Sequence, residues 1–199
     1  MSKRKANSGK SLRGARRSRV PKPSPLPARQ PVLSVRVGHG YDLHRLAASD
    51  AQEGERGKAM VLGGVRFESD RGPVAHSDGD ALLHAITDAI LGALAMPDIG
   101  QLFPDSDPKW AGADSEVFLV EAVKRAAAKG WVVGNVDATV ILERPKLGPR
   151  KEEVRRNVAR ILGVEVSSVN VKGKTHEKVD AVGEGRAVEV HAVVVMVRK

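Results

Sequence analysis

A chain of 199 residues, 41% hydrophobic and 29% charged, is long enough to bury one core and has the balance of an ordinary globular protein. It has no cysteine, which excludes disulfides, thiolate metal sites and a cysteine nucleophile, and its 3% aromatic content argues against a stacking platform for single-stranded nucleic acid. The formal charge of +9 belongs to one end: residues 1–36 hold 11 of the 33 Lys and Arg and no Asp or Glu, leaving 22 basic against 24 acidic residues over 37–199.

Residues 1–31 are rich in Lys, Arg, Ser, Pro and Gly without hydrophobic periodicity, and read as a disordered basic extension. The same composition permits an organelle targeting segment, or a weak electrostatic contact with nucleic acid. A folded body is expected over 32–199. Val32–Gly38 reads as a first strand ending at Gly-His-Gly-Tyr, and Met60–Phe67 as a second, interrupted by Gly63-Gly64, with a polar loop over Ala47–Lys58 between them. Ala81–Met96 has a helical apolar face of Leu82, Leu83, Ile86, Ile90 and Leu94, and Pro97 closes it. A second helix is expected over Ser115–Lys129, with Asp114 and Ser115 as capping candidates and Gly130 as its stop. Trp131–Leu142 reads as a strand. A third helix runs from Pro149 to Gly163, with Val154, Val158, Ile161 and Leu162 on its core face. Val169–Lys174 and Ala187–Arg198 are the closing strands. This order predicts an α/β sandwich (α+β) in which helices cover one face of a mixed sheet. Apolar runs such as Val193–Val197 are too short to cross a bilayer.

Two clusters carry chemistry. In Asp42-Leu43-His44 the i, i+2 spacing on extended backbone puts both polar side chains on one side, as two ligands of one metal require. His76-Ser77-Asp78-Gly79-Asp80 leads into the helix, where Asp80, His84 and Asp88 recur every four residues along a stripe opposite the apolar face. Solvation and the helix dipole account for Asp78 and Asp80. They do not account for so many His and Asp residues in one place. Asp42, His44 and His84 together supply one carboxylate and two imidazoles, a set that suits zinc with one open position; manganese or another divalent ion is also compatible with these donors.

Gly38-His39-Gly40-Tyr41-Asp42-Leu43-His44, Ala75–Asp80, Asp98-Ile99-Gly100 through Phe103-Pro104-Asp105, Gly134–Asp137 and Lys172–Glu177 closely resemble, in order and spacing, the signature segments of the methylerythritol cyclodiphosphate synthases. The resemblance covers about residues 35–199. It implies a lyase of the non-mevalonate isoprenoid precursor route, acting on 4-diphosphocytidyl-2-C-methyl-D-erythritol 2-phosphate and releasing the 2,4-cyclodiphosphate and CMP. It further implies a homotrimer with active sites at subunit interfaces. The family's zinc positions fall on Asp42, His44 and His84, and its second ion, magnesium or manganese, on Glu177. The implied substrate contacts are Asp42, His44, His76, Ser77, Asp98, Gly100, Asp105, Lys146, Lys174, Thr175 and Glu177, of which His76, Thr175 and Glu177 are the implied catalytic positions. Lys146 and Thr175 would contact the cytidine diphosphate from the adjacent subunit. The chain departs from many relatives in reading Gly183-Glu184-Gly185-Arg186 where they have Arg-Gly-Glu-Gly, so an arginine phosphate contact at the trimer axis either passes to Arg186 or is absent.

The rival enzymatic reading is a metal-dependent phosphohydrolase using the same centre to activate water. A nucleic-acid-binding protein is the non-enzymatic rival, and the near-neutral body opposes it. The compartment implied is the cytoplasm of a bacterium, or a plastid if residues 1–31 are a transit peptide.

Overall fold

A computed structural model of the chain describes residues 34–199. The expectation for residues 1–31 therefore lies outside the described residues. Seven strands and five α-helices follow one another as β1 (Val35–Ala48), β2 (Met60–Leu62), β3 (Val65–Phe67), β4 (Arg71–Pro73), α1 (Ala81–Ala93), α2 (Ile99–Leu102), α3 (Glu116–Ala128), β5 (Trp131–Ile141), α4 (Lys151–Leu162), β6 (Val169–Lys174), α5 (Asp180–Gly183) and β7 (Ala187–Arg198). Five strands form one sheet in the order β4-β1-β7-β5-β6. β1 and β5 both pair antiparallel with β7, and β6 runs parallel to β5. The sheet is mixed, as expected, and α1 and α3 pack against it and each other.

The first strand does not stop at Gly38. It continues through Gly38-His39-Gly40 to Ala48, so Asp42 and His44 lie within it. The two glycines are there for packing, not for a turn. A Cβ on Gly38 would stand 1.8 Å from the Ala89 carbonyl oxygen, and one on Gly40 1.8 Å from that of Ala85. Hydrogen at these positions lets the α1 backbone lie directly on β1.

Met60–Phe67 is a hairpin. Gly63 and Gly64 have φ of +62° and +74°, the left-handed values that a tight two-residue connection needs. Their amides donate to the Asp80 carboxylate at 2.9 and 2.6 Å, and Asp80 also caps α1 by accepting from the Leu82 and Leu83 amides at 3.1 Å each. Asp80 thus joins the hairpin to the helix start.

The stripe Asp80, His84, Asp88 is not a solvated face. Asp80 is fully buried, His84 is nearly so, and Asp88 is half-buried, its carboxylate accepting from the Ile99 amide at 2.8 Å. Helix α1 is the central element, covered by the sheet on one side and by α3 and the hairpin on others, so both of its faces are inside. It ends at Ala93, three residues before the expected Met96, because Ala95 turns left-handed at φ +50° and the Met96 amide bonds back to the Leu91 carbonyl. Helix α4 behaves as its pattern predicts: Val154, Val158, Ile161 and Leu162 are buried and Gly163 closes it at φ +68°. The other sheet face is open, with Val35, Val37, Tyr41, Leu43, Val132 and Val193 exposed on it.

Candidate metal centre and its two grooves

β1 presents Gly38, Gly40, Asp42 and His44 to one side, and the first pair holds α1 against the strand. The second pair meets the first turn of the helix. There Asp42 Oδ2 lies 3.1 Å from His84 Nδ1 and 3.3 Å from His44 Nε2, and the two ring nitrogens are 3.3 Å apart. The three donor atoms form a near-equilateral triangle. A tetrahedral zinc with ligands about 2.0–2.1 Å away has ligand–ligand edges of about 3.3–3.4 Å, so the triangle matches one face of such a site. Among the described residues this is the one group of three acidic or imidazole side chains close enough to share an ion.

Burial and charge act oppositely on the two imidazoles. Desolvation lowers the His44 pKa below the ordinary histidine value, and the adjacent Asp42 only partly offsets it. Burial also works against a charged His84, but its hydrogen bond to Asp42, together with the charges of Asp42, Asp80 and Asp78, raises its pKa. Burial raises Asp80 as well, against the amides that favour its ionised form.

The triad forms the floor of a cavity of about 440 Å³ that His76, Ser77, Gly100 and Asp105 also line. Phe103, Trp110 and Phe118 supply its apolar wall, with ring centroids 4.6–5.7 Å apart. Asp98 caps the short α2 beside this cavity, accepting from the Gln101 amide at 2.8 Å. Lys146, Lys174 and Thr175 line a separate groove of about 480 Å³, together with Val140, Leu142 and Pro145. Glu177 lines neither: it is exposed on the loop before α5, where it and Lys178 take left-handed φ of +51° and +63°. Arg186 is exposed and paired with Glu184 at 2.6 Å.

Two contacts escaped the sequence reading. Lys58, at the end of the polar loop, donates to the carbonyls of His76 and Ser77 and fixes that segment from behind. Ser115, taken as a helix cap, is fully buried with its hydroxyl 2.7 Å from His84 Nε2. A lysine in a loop and a serine before a helix have too many ordinary uses for spacing to single them out.

Fold and site together define an α/β protein with a carboxylate–bis-imidazole centre at the base of an open cavity. The YgbB family model matches residues 35–197, and the chain belongs to that family. It is 54% identical over 168 residues to the chloroplastic 2-C-methyl-D-erythritol 2,4-cyclodiphosphate synthase of Catharanthus roseus, covering 84% of this chain and 68% of that one. It is 47% identical over 165 residues to the synthase of the same name from Pseudomonas aeruginosa strain UCBPP-PA14, covering 83% of this chain and all of the relative. The solved structure of IspF from Plasmodium falciparum in complex with CDP superposes with a TM-score of 0.71 at 36% identity, covering 83% of this chain and 97% of that one.

Proposed function

We propose that this chain converts 4-diphosphocytidyl-2-C-methyl-D-erythritol 2-phosphate to 2-C-methyl-D-erythritol 2,4-cyclodiphosphate and CMP. The observation that carries the reading is the metal-sized triangle of Asp42, His44 and His84 at the floor of the cavity, in a member of a family whose curated relatives bear that synthase's name. The 2-phosphate oxygen attacks the β-phosphorus, the bond from that phosphorus to the CMP oxygen breaks, and the ring closes. The attacking phosphate is already ionised near neutral pH, so the protein needs no base, and positioning with charge neutralisation does the work.

Zinc is the ion this donor set suits best, and when bound it neutralises phosphate charge and polarises the phosphorus. His76 and Ser77 receive the phosphate side of the substrate, while Asp98, Gly100 and Asp105 take the methylerythritol hydroxyls, over the apolar wall of Phe103, Trp110 and Phe118. Lys146, Lys174 and Thr175 hold the cytidine diphosphate in the second groove. Glu177, a single exposed carboxylate, would hold the second divalent ion, magnesium or manganese, whose charge would offset that of the substrate phosphates.

The two grooves become one site in a homotrimer, with each groove facing the other kind on a neighbouring copy. The apolar open face of β1, β7 and β5 supports such assembly, since chains rarely leave a contiguous patch of this kind to water. Residues 32–199 form the catalytic body. Residues 1–31 are an appended basic segment, and the chloroplastic relatives favour a targeting role for it.

The test is incubation of the protein with the cytidylylated substrate and divalent ions, followed by mass analysis of the products. Equimolar CMP and cyclic diphosphate are expected. Inorganic phosphate as the main product would replace this reading with a phosphohydrolase.

A further inference from the structure

We propose that Ser115 and Asp78 are positioning residues, forming a buried relay that keeps a proton on His84 Nε2 and so makes Nδ1, the nitrogen bonded to Asp42, the one that gives up its hydrogen and takes the metal. This rests on the reading of Asp42, His44 and His84 as a metal site. The Nδ1 edge of His84 faces Asp42 and His44. Its Nε2 edge points the other way, 2.7 Å from Ser115 Oγ and 3.3 Å from Ser77 Oγ. Ser115 Oγ in turn contacts Asp78 Oδ1.

The order of donors follows from what each group can do. A carboxylate only accepts, so the Ser115 hydroxyl proton goes to Asp78. Having donated its one proton, the hydroxyl can only accept from His84, and Nε2 must therefore carry hydrogen. The opposite tautomer would set two lone pairs against each other at 2.7 Å. Asp78 is held to this task by two amides, Asp80 N to Oδ1 and Ser115 N to Oδ2, both at 3.1 Å. Ser77 cannot reverse the arrangement, because a proton offered from 3.3 Å does not remove that conflict.

Helix capping does not explain the serine. Ser115 occupies the N-cap of α3, where a hydroxyl ordinarily accepts from a first-turn amide, yet it makes no such bond. The Glu116 amide is taken by Asp114 Oδ1 at 2.8 Å instead. The hydroxyl is turned inward, where its partners are His84 and Asp78. A ring nitrogen fixed in this way is what a metal-ligating histidine needs for correct tautomer and orientation.

Zinc affinity, read by chelator competition, tests the relay. Ser115→Ala is expected to weaken zinc binding about 10- to 100-fold, the usual cost of losing such a partner. It should also alter the visible absorption of the cobalt-substituted protein, while the unfolding midpoint of the chelated protein stays near that of the parent. Ser115→Thr should restore most of the affinity, and Asp78→Asn should weaken it. Unchanged affinity in Ser115→Ala would overturn the proposal. If Ser115→Ala does not fold, nitrogen NMR of the zinc-loaded parent decides: a proton on His84 Nε2 supports the relay, and zinc on that nitrogen refutes it. His84→Ala separates the two levels. Loss of zinc there with normal affinity in Ser115→Ala removes only the relay, whereas zinc retained in His84→Ala removes the metal centre itself.

Discussion

The two grooves of this molecule are built differently. The triad cavity is assembled by the core of one chain: β1 and α1 touch backbone to backbone at Gly38 and Gly40, and that contact brings His84 to Asp42 and His44. The groove of Lys146, Lys174 and Thr175 lies between the β5 and β6 ends and the turn before α4, with its lysines exposed and no contact to the triad. One half is set by packing within a single chain. The other is a charged surface apart from the triad; on the proposed function, metal binding and nucleotide binding should then be separable by mutation and reunited by assembly.

The largest expected effect is that of His84→Ala. Losing a ligand should remove zinc and lower turnover by on the order of 10³-fold, since metal stabilisation of a phosphoryl transition state is worth several kcal/mol. Lys174→Ala should keep zinc and lower kcat/KM about tenfold to a hundredfold, as expected for a charge-assisted phosphate contact. If the chain assembles as proposed, mixing these two impaired chains should give more activity than the sum of the two alone, because some interfaces then join an intact cavity to an intact groove. No recovery would mean that the grooves do not combine across chains.

Val37→Asp places a charge on the open sheet face. If this face is the interface of the proposed trimer, sedimentation should show dissociated chains with zinc bound and activity reduced; assembly unchanged from the parent would exclude this face as the interface. Gly40→Ala attacks the cavity from below. Its Cβ would meet the Ala85 carbonyl, so a loss of about 1–3 kcal/mol in stability is expected, with weaker zinc binding but an unaltered second groove.

The smallest effect is on pH dependence. In metal-free protein, NMR titration should place His84 above and His44 below the ordinary histidine value of about 6.5. The raised His84 contributes stability fully below that value and loses it as pH rises through its folded pKa. The depressed His44 contributes stability above that value and loses it as pH falls through its own. Zinc must displace the His84 proton, so its affinity should fall as pH drops. Coincident titration of both rings would contradict the unequal surroundings described for them.

Much of the fold was legible before any coordinates. Helix α4 and the strands β5, β6 and β7 carry clean periodicity and clear stops, and α3 begins and ends at its capping signals. The failures share one cause. Gly38 and Gly40 were read by local rules as the end of the first strand, and Asp80 was assigned to the helix dipole and solvent, whereas the roles of all three come from neighbours distant in the chain. Lys58 and Ser115 were missed for the same reason. His84, by contrast, was placed in the metal set from its spacing and stands there.

What the amino-acid order determined by itself is the inventory: an i, i+2 Asp-His pair on extended backbone, a histidine one turn into a helix, and motifs in family order. Only the tertiary structure decided that these donors meet at 3.1–3.3 Å, that the stripe is buried, and that the lysine groove stands apart. Side-chain spacing along a strand or helix is a local property of backbone geometry. The distance between a strand and a helix depends on what packs between them, and here that is two missing Cβ atoms.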